Sequence, residues 1–168
     1  SYQKILKWSV KNQGDFWSLI WDFSNINGKK SKNKLKKSKI FYKNLFLPGS
    51  KLNFAENLLS KNNKDKAITF ISENGFREEK NWQELNLQVN KIVTFLQRIK
   101  IKKNDRVAAY LPNTIETVEA FLGTTSLGAI WSSCSPDFGT RGLIERFSQI
   151  NPKILFIADH YFYNGKKI

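Results

Sequence analysis

The chain has 168 residues, 40% of them hydrophobic and 14% aromatic, which is enough to form the core of one modest domain or part of a larger one. Its formal net charge is +14, but lysines are scattered along the chain, which argues against a nucleic-acid or membrane partner and leaves an enzyme with anionic ligands open. No apolar run is long enough for a transmembrane helix, and the first residues lack a secretory signal. The only cysteine, Cys134, cannot form an internal disulfide, which indicates a reducing compartment such as the cytoplasm.

The first part of the chain predicts a helix over 15–23. Its apolar residues recur at 16, 19, 20 and 23, a spacing that places them on one buried face. Trp17 and Trp21 lie beside that face, and we interpret them as core anchors rather than as a platform for a ligand. Asn27 and Gly28 follow with the residue types of a left-handed helix end.

A cluster of lysines follows this helix and predicts a solvated, mobile loop, with an anion-binding patch as the alternative. The cluster comprises Lys29, Lys30, Lys32, Lys34, Lys36, Lys37 and Lys39. Beyond it, Pro48 and Gly49 predict a turn. A short helix is then expected from residue 52 on, with Asn53 as its N-cap and Glu56 three residues later.

The second half of the chain alternates strand and helix patterns. A strand at 67–72 and a weaker one at 76–82 flank the turn 73–75, as in a hairpin. Helices are predicted at 82–100, at 114–127 and at 140–149, with strands at 106–111, 129–131 and 153–158 between or after them. The strand at 106–111 has no polar alternation across its middle, as in a strand of a parallel sheet that is buried on both faces.

This order predicts an α/β fold: an amino-terminal helical segment followed by part of a layered α/β domain with a mostly parallel sheet. In such sheets, ligands bind outside the carboxyl ends of the strands. Three segments lie there: 112–114, the polar turn at 132–139, and 159–167.

The residues alone give no complete catalytic set. Neither a dinucleotide nor a P-loop motif is present, and the stretch 123–126, although rich in Gly, Thr and Ser, lies within a helical pattern and is interpreted as helix packing. His160 has no cysteine at metal-binding spacing. Cys134 has no neighbouring cation and is interpreted as structural, and Asp137 as a turn residue that caps the next helix.

Four stretches together resemble the acetoacetyl-CoA synthetases (acetoacetate–CoA ligases) of the adenylate-forming acyl-CoA synthetase superfamily. They are LPGSKLNFAENLL at 47–59, DRVAAYLPN at 105–113, LGAIWSSCSPDFG at 127–139 and ADHYFYNGKK at 158–167. The runs WSSCSPDFG and YFYNGK are the ones specific to the acetoacetate branch. The resemblance covers nearly the whole chain and is weakest from 25 to 39.

The resemblance implies that 1–60 is an amino-terminal helical cap segment of the acetyl-CoA-synthetase type and that 61–168 is the incomplete first part of the AMP-binding domain. It implies a ligase that uses ATP, CoA and Mg²⁺ to convert acetoacetate into acetoacetyl-CoA through acetoacetyl-adenylate. The family's catalytic motifs lie downstream of these residues, so we expect no catalytic residue here and no activity of this part alone. We expect small-molecule substrates, no nucleic acid and no membrane, with a homo-oligomer possible.

For binding sites, the resemblance implies that Trp131 and Ser133 lie near the nucleotide of CoA and that the segment of Tyr163 and Lys166 holds its phosphates. Tyr163 stands where the family has arginine. The alternative is that Trp131 belongs to the core and Lys166 to a solvated chain segment. Two other functions stay open at this point: a free-standing binding module of the same fold, and a basic nucleic-acid-binding domain whose binding would depend steeply on salt.

Overall fold

The computed structural model describes residues 1–168, which form two compact units, residues 1–57 and 58–168. The first unit is built from helices and two-residue strands that pair antiparallel, β1 with β4 and β2 with β3. Its elements are α1 (Tyr2–Lys11), α2 (Gln13–Phe23), β1 (Gly28–Lys29), β2 (Leu35–Lys36), a 3₁₀ turn (Phe41–Lys43), β3 (Leu45–Phe46), β4 (Lys51–Leu52) and α3 (Phe54–Leu58), whose last residue already belongs to the second unit.

Helix α3 begins as predicted. The Asn53 side chain accepts a hydrogen bond of 3.0 Å from the backbone N–H of Glu56 and so satisfies one free donor of the first helical turn. Helix α1, by contrast, was not predicted. Helix α2 ends at Phe23, as predicted, but the left-handed cap expected at Asn27 and Gly28 is wrong: Asn25 takes the left-handed conformation, and Gly28 is part of β1.

The buried face of α2 also differs from the prediction. Leu19 and Phe23, two members of the predicted apolar stripe, are 56% and 82% exposed, and the buried residues are Gly14 and Ser18, one turn apart. A Cβ atom on Gly14 would lie 3.1 Å from the Cβ of Leu35, so the absence of a side chain allows β2 to approach the helix closely. The other two members of the stripe, Phe16 and Ile20, are half-buried, so the prediction holds for half of the stripe.

The lysine cluster is not wholly solvated, because it includes β2 and the end of β1 and forms ion pairs with α2. The Lys30 ammonium lies 2.6 Å from a carboxylate oxygen of Asp22 and donates to the carbonyl of Ser18 at 2.9 Å. Lys34 lies 2.6 Å from Asp15. These contacts neutralise part of the charge of the cluster.

The second unit contains a β-hairpin, a parallel sheet and three helices, and ends in a second, small hairpin. Its elements are β5 (Lys66–Ile71), β6 (Arg77–Asn81), α4 (Trp82–Arg98), β7 (Arg106–Tyr110), α5 (Ile115–Ser126), β8 (Ile130–Cys134), a 3₁₀ turn (Pro136–Phe138), α6 (Gly139–Phe147), β9 (Ile154–Ile157), β10 (Phe162–Tyr163) and β11 (Lys166–Lys167).

The predicted parallel sheet is confirmed. Its order is β8-β7-β9 with both neighbours parallel to β7, and Val107 is in register with Trp131 on one side and Ile154 on the other. On one face of the sheet, Val107 packs with Leu96 of α4 in a buried cluster. On the other face, Ala108 packs with Cys134 and with Phe147 of α6. The central strand β7 is thus covered on both faces, which explains its unbroken apolar pattern, whereas Leu155 and Ile157 of the edge strand β9 are 40% and 65% exposed.

Helix α4 begins with a side-chain cap and packs closely against α5. Asn81 and Glu84 form a capping box: the Asn81 side chain accepts from the N–H of Glu84, and the Glu84 side chain accepts from the N–H of Asn81. Gly123 of α5 lies so close to Ile92 of α4 that a Cβ atom would come within 2.5 Å of the Ile92 Cγ2. This confirms that the stretch 123–126 serves helix packing.

Strand β8 is longer than predicted. The strand was expected to stop at Trp131, but Ser132, Ser133 and Cys134 continue it and pair in register with β7 up to Tyr110. Backbone N–H and C=O groups of β7 pair with those of Ser132 to Cys134, because the small side chains of these residues do not prevent strand pairing. As a result, Trp131 lies within the strand and Ser133 lies next to its carboxyl end.

Candidate functional site

A cleft of about 580 Å³ lies at the carboxyl ends of β7 and β9, where a parallel sheet is expected to bind ligands. Residues 112–114 and 160–162 line it together with the turn of the β5–β6 hairpin at 72–74. Two of the three segments predicted to face ligands therefore meet at one cleft. The segment 132–139 does not contribute to the lining.

The cleft is acidic although the chain as a whole is strongly basic. Glu73, Glu78 and Glu116 line it, and beside them the Lys80 ammonium lies 2.8 Å from Glu119 and 3.5 Å from Glu78. Burial opposes the charge of Lys80, but the hydrogen bond to Glu119 and the surrounding carboxylates outweigh it, so the pKa of Lys80 is raised. Such a lining repels phosphate groups, and we place no phosphate in this cleft.

His160 contributes to the cleft through a local pair. Its Nδ1 lies 2.7 Å from a carboxylate oxygen of the neighbouring Asp159. This hydrogen bond is the main reason why the pKa of Asp159 is lowered from its usual range. Within residues 1–168, no group of three His, Cys, Asp or Glu side chains is arranged to hold a metal ion.

Strand β8 carries Trp131 and Ser133 on one face, because side chains two residues apart along a strand point the same way. The Trp131 ring packs edge-on against Phe121 at 6.1 Å between centroids and tilted against Phe156 at 6.2 Å. It also contacts the buried cluster around Leu96. Trp131 is therefore partly a core residue, with some of its surface exposed, whereas Ser133 is exposed.

Tyr163 and Lys166 are direct cross-strand partners in the small β10–β11 hairpin. The two residues between them, Asn164 and Gly165, both have positive φ angles, 51° and 72°, as a two-residue type I′ turn requires. Tyr163 is 59% exposed and Lys166 is also exposed, so both side chains are accessible. The hairpin presents one aromatic ring and one ammonium group side by side.

The hairpin is fixed by a carboxylate from a distant part of the unit. Glu73, in the turn of the β5–β6 hairpin, accepts from the backbone N–H of Asn164 at 3.0 Å through one oxygen and from that of Gly165 at 2.9 Å through the other. Sequence reasoning missed this residue because it is 91 positions away from its partner and no local pattern marks the contact. The Asn-Gly pair, however, could have revealed the hairpin itself.

The turn after β8 is structural. Cys134 is buried in the core, as predicted. The Tyr110 hydroxyl donates to the carbonyl of Pro136 at 2.5 Å, and the Ser135 hydroxyl donates to Asp137 at 2.8 Å. The expectation that Asp137 caps the next helix is wrong, because α6 begins without a side-chain cap at Phe138 and the Asp137 carboxylate bonds within the turn instead.

The structure therefore places the four predicted site residues as two pairs, one on β8 and one on the hairpin that follows β9. Strand β7 lies between β8 and β9, so their carboxyl ends are two strand spacings apart, roughly 10 Å.

None of the helices is long and apolar enough to cross a membrane.

Comparison with known proteins gives a consistent match along the chain. The family model described as "AMP-binding enzyme" matches residues 56–167. The acetoacetyl-coenzyme A synthetase of Rhizobium meliloti (strain 1021) is 40% identical over 166 residues, which cover 99% of this chain and 26% of that protein. The acetoacetyl-CoA synthetase of Xenopus tropicalis is 41% identical over 171 residues, covering 99% and 25%.

Two further matches are a solved structure and a synthetase named for a different acid. The solved structure of acetoacetyl-CoA synthetase from Streptomyces lividans superposes with a TM-score of 0.88 at 31% identity, covering 96% of this chain and 25% of that one. A malonamoyl-CoA synthetase of Penicillium aethiopicum is 36% identical over 174 residues, covering 99% and 24%. The chain thus spans about a quarter of the length of the curated relatives it matches.

Proposed function

Because the chain belongs to the AMP-binding enzyme family, we propose that it is the amino-terminal part of an ATP-dependent acetoacetate–CoA ligase. In this proposal, residues 1–60 form the amino-terminal helical cap segment and residues 61–168 the first part of the AMP-binding domain. The observation that carries it is the end-to-end match: 99% of the chain aligns with the acetoacetyl-coenzyme A synthetase of Rhizobium meliloti at 40% identity. The single buried, free Cys134 supports a reducing compartment, for which we propose the cytoplasm.

The proposed reaction has two steps. The acetoacetate carboxylate attacks the α-phosphorus of ATP, a P–O bond forms, and pyrophosphate leaves with the electrons of the broken P–O bond. The CoA thiol, having lost its proton, then attacks the acyl carbon of acetoacetyl-adenylate, and AMP leaves as the C–S bond forms. Mg²⁺ accompanies the nucleotide phosphates, and we assign it no ligand in residues 1–168, which offer no cluster for it.

We assign residues 1–168 a role in binding CoA rather than in the chemistry. Trp131 offers the partly exposed surface of its ring to the adenine, and the neighbouring exposed Ser133 leaves room for it. Lys166 supplies a positive charge for a phosphate group, and Tyr163, its cross-strand partner, supplies a hydroxyl in place of a guanidinium.

The assignment is tested by separating the two half-reactions in the full-length ligase. We expect Trp131→Ala and Lys166→Ala to raise the KM for CoA about tenfold each, the loss of one stacking contact or one charge-assisted contact, without changing acetoacetate-dependent ATP–pyrophosphate exchange. Lys103→Ala, a change of an exposed lysine in the loop between α4 and β7, serves as the control for loss of one positive charge. Unchanged CoA kinetics in both site variants would remove the assignment.

A second acid substrate has a specific observation in its favour. The malonamoyl-CoA synthetase of Penicillium aethiopicum matches the chain nearly as well as the acetoacetyl-CoA synthetases do. The two acids have the same length and both carry a carbonyl group β to the carboxylate, with an amide in one where the other has a methyl ketone. We therefore propose malonamate as the competing substrate, to be compared with acetoacetate in the same exchange assay.

A further inference from the structure

The small hairpin that carries Tyr163 and Lys166 has little to stabilise it locally. It consists of two strands of two residues each, closed at the base by hydrogen bonds between Tyr161 and Ile168 of 3.0 and 2.8 Å. A lone two-stranded hairpin is marginally stable in water. Both Tyr163 and Lys166 are exposed, so packing of these side chains does not hold it in place.

The Glu73 carboxylate fixes the hairpin to the rest of the second unit through two hydrogen bonds. Each carboxylate oxygen of Glu73 accepts one N–H, from Asn164 and from Gly165, at 3.0 and 2.9 Å. Hydrogen bonds to a charged acceptor are about twice as strong as neutral ones, and the two-point contact fixes the direction of the turn as well as its position. Glu73 itself lies in the turn of the β5–β6 hairpin, whose strands pair from Lys66 with Asn81 to Ile71 with Arg77.

We propose that Glu73 is a positioning residue for CoA: it holds the β10–β11 hairpin so that Lys166 and Tyr163 meet the phosphate groups. This inference rests on the proposed CoA-binding role of those two side chains. If a ligand binds only when the hairpin is docked, its apparent affinity is the intrinsic affinity multiplied by the fraction of molecules in which the hairpin is docked. Loss of Glu73 therefore weakens CoA binding without any contact between Glu73 and CoA.

The test uses Glu73→Ala and Glu73→Gln in the full-length ligase. The alanine variant loses both hydrogen bonds, and we expect its KM for CoA to rise about tenfold, equivalent to about 1.4 kcal/mol. The glutamine variant keeps one acceptor oxygen and presents an amide N–H to the second backbone donor, so its effect should be intermediate. The rate of acetoacetate-dependent ATP–pyrophosphate exchange should stay at the parent value in both variants.

Glu79→Ala is the matched control. It removes a carboxylate from the same β5–β6 hairpin, but one that pairs with Lys66 and Arg77 instead of with the β10–β11 hairpin. We expect it to leave the KM for CoA unchanged. In a Lys166→Ala background, Glu73→Ala should add much less than its own tenfold effect, because it acts largely through Lys166. Hydrogen exchange of the peptide covering 162–168 should be faster in Glu73→Ala than in the parent.

The outcomes separate the two proposals. If Lys166→Ala raises the KM for CoA and Glu73→Ala does not, the positioning role is refuted and the CoA site stands. If neither variant changes the KM for CoA, the hairpin's part of the CoA site is refuted and the positioning role falls with it. A parallel loss of exchange activity in Glu73→Ala, or an equal effect of Glu79→Ala, would show a general structural defect and would also overturn the positioning role.

Discussion

Gly123 allows α4 and α5 to pack at close range, and its replacement by alanine has two opposite effects. Alanine is about 1 kcal/mol more favourable than glycine within a helix. The new Cβ, however, would lie 2.5 Å from the Cγ2 and 2.8 Å from the Cβ of Ile92, both shorter than real contacts allow. Ile92 is β-branched on a helix and has essentially one χ1 rotamer, so it cannot turn away. Overpacking of this kind costs about 1–3 kcal/mol, and we expect a net destabilisation of about 1 kcal/mol.

The measurement is urea unfolding of the full-length protein, followed by far-ultraviolet circular dichroism, with the m value compared between variants. Gly142→Ala is the matched control, because Gly142 also lies within a helix, α6, but a Cβ there would meet only Phe138, at 3.7 Å. That variant should be more stable than the parent by about 1 kcal/mol.

A double-mutant cycle identifies the partner. Ile92→Ala removes the closest of the two clashing atoms, so Gly123→Ala should be less harmful in that background than in the parent, with a coupling free energy of about 1 kcal/mol. The reasoning would be refuted if Gly123→Ala stabilised the chain as much as Gly142→Ala does, since helix propensity alone would then account for both. A coupling of zero with Ile92 would refute the assignment of the contact.

Two further predictions concern ion pairs of the second unit. Glu119→Gln leaves the largely buried Lys80 ammonium with Glu78, 3.5 Å away, as its remaining ion-pair partner. It should lower the free energy of unfolding by about 2 kcal/mol, measured by urea unfolding at pH 7; an effect below a few tenths of a kcal/mol would contradict it. The pKa of Asp105 is lowered by the hydrogen bond from Lys153, 2.8 Å away, so its contribution to stability is present above the ordinary carboxyl pKa of 3.8 and is lost as the pH falls through the lowered value. Asp105→Asn should therefore be less stable than the parent at pH 7, with a difference that shrinks below about pH 4; a difference independent of pH would be evidence against the pair.

The parts of the fold that the sequence predicts well are those in which local preference and burial agree. The strand around Val107 has no polar alternation in its middle and proves to be the central strand of the sheet, buried on both faces. The helix predicted at 114–127 is α5, and Gly128, just beyond it, has a φ of 67°, the left-handed conformation that glycine favours after a helix. In both places, the residue type that favours the local structure also suits the tertiary environment.

The predictions fail where contacts with a segment far away along the chain determine the local structure. Ser132 to Cys134 look like a turn, but β7 pairs with them and extends the strand. In α2, Gly14 lets β2 approach closely, while Leu19 and Phe23 of the predicted apolar stripe are exposed. Glu73 has no local mark at all, because its partners lie more than 90 residues away along the chain. Contacts of this kind depend on three-dimensional placement that a single sequence does not contain.

The ligase proposal is tested most directly by ATP–pyrophosphate exchange with the full-length protein in the absence of CoA. The proposal predicts exchange of labelled pyrophosphate into ATP that depends on acetoacetate and exceeds the exchange seen with acetate at the same concentration. Exchange that malonamate supports better than acetoacetate would change the substrate and keep the reaction. No exchange with any of these acids would contradict the proposal that the chain belongs to an acid–CoA ligase of this kind.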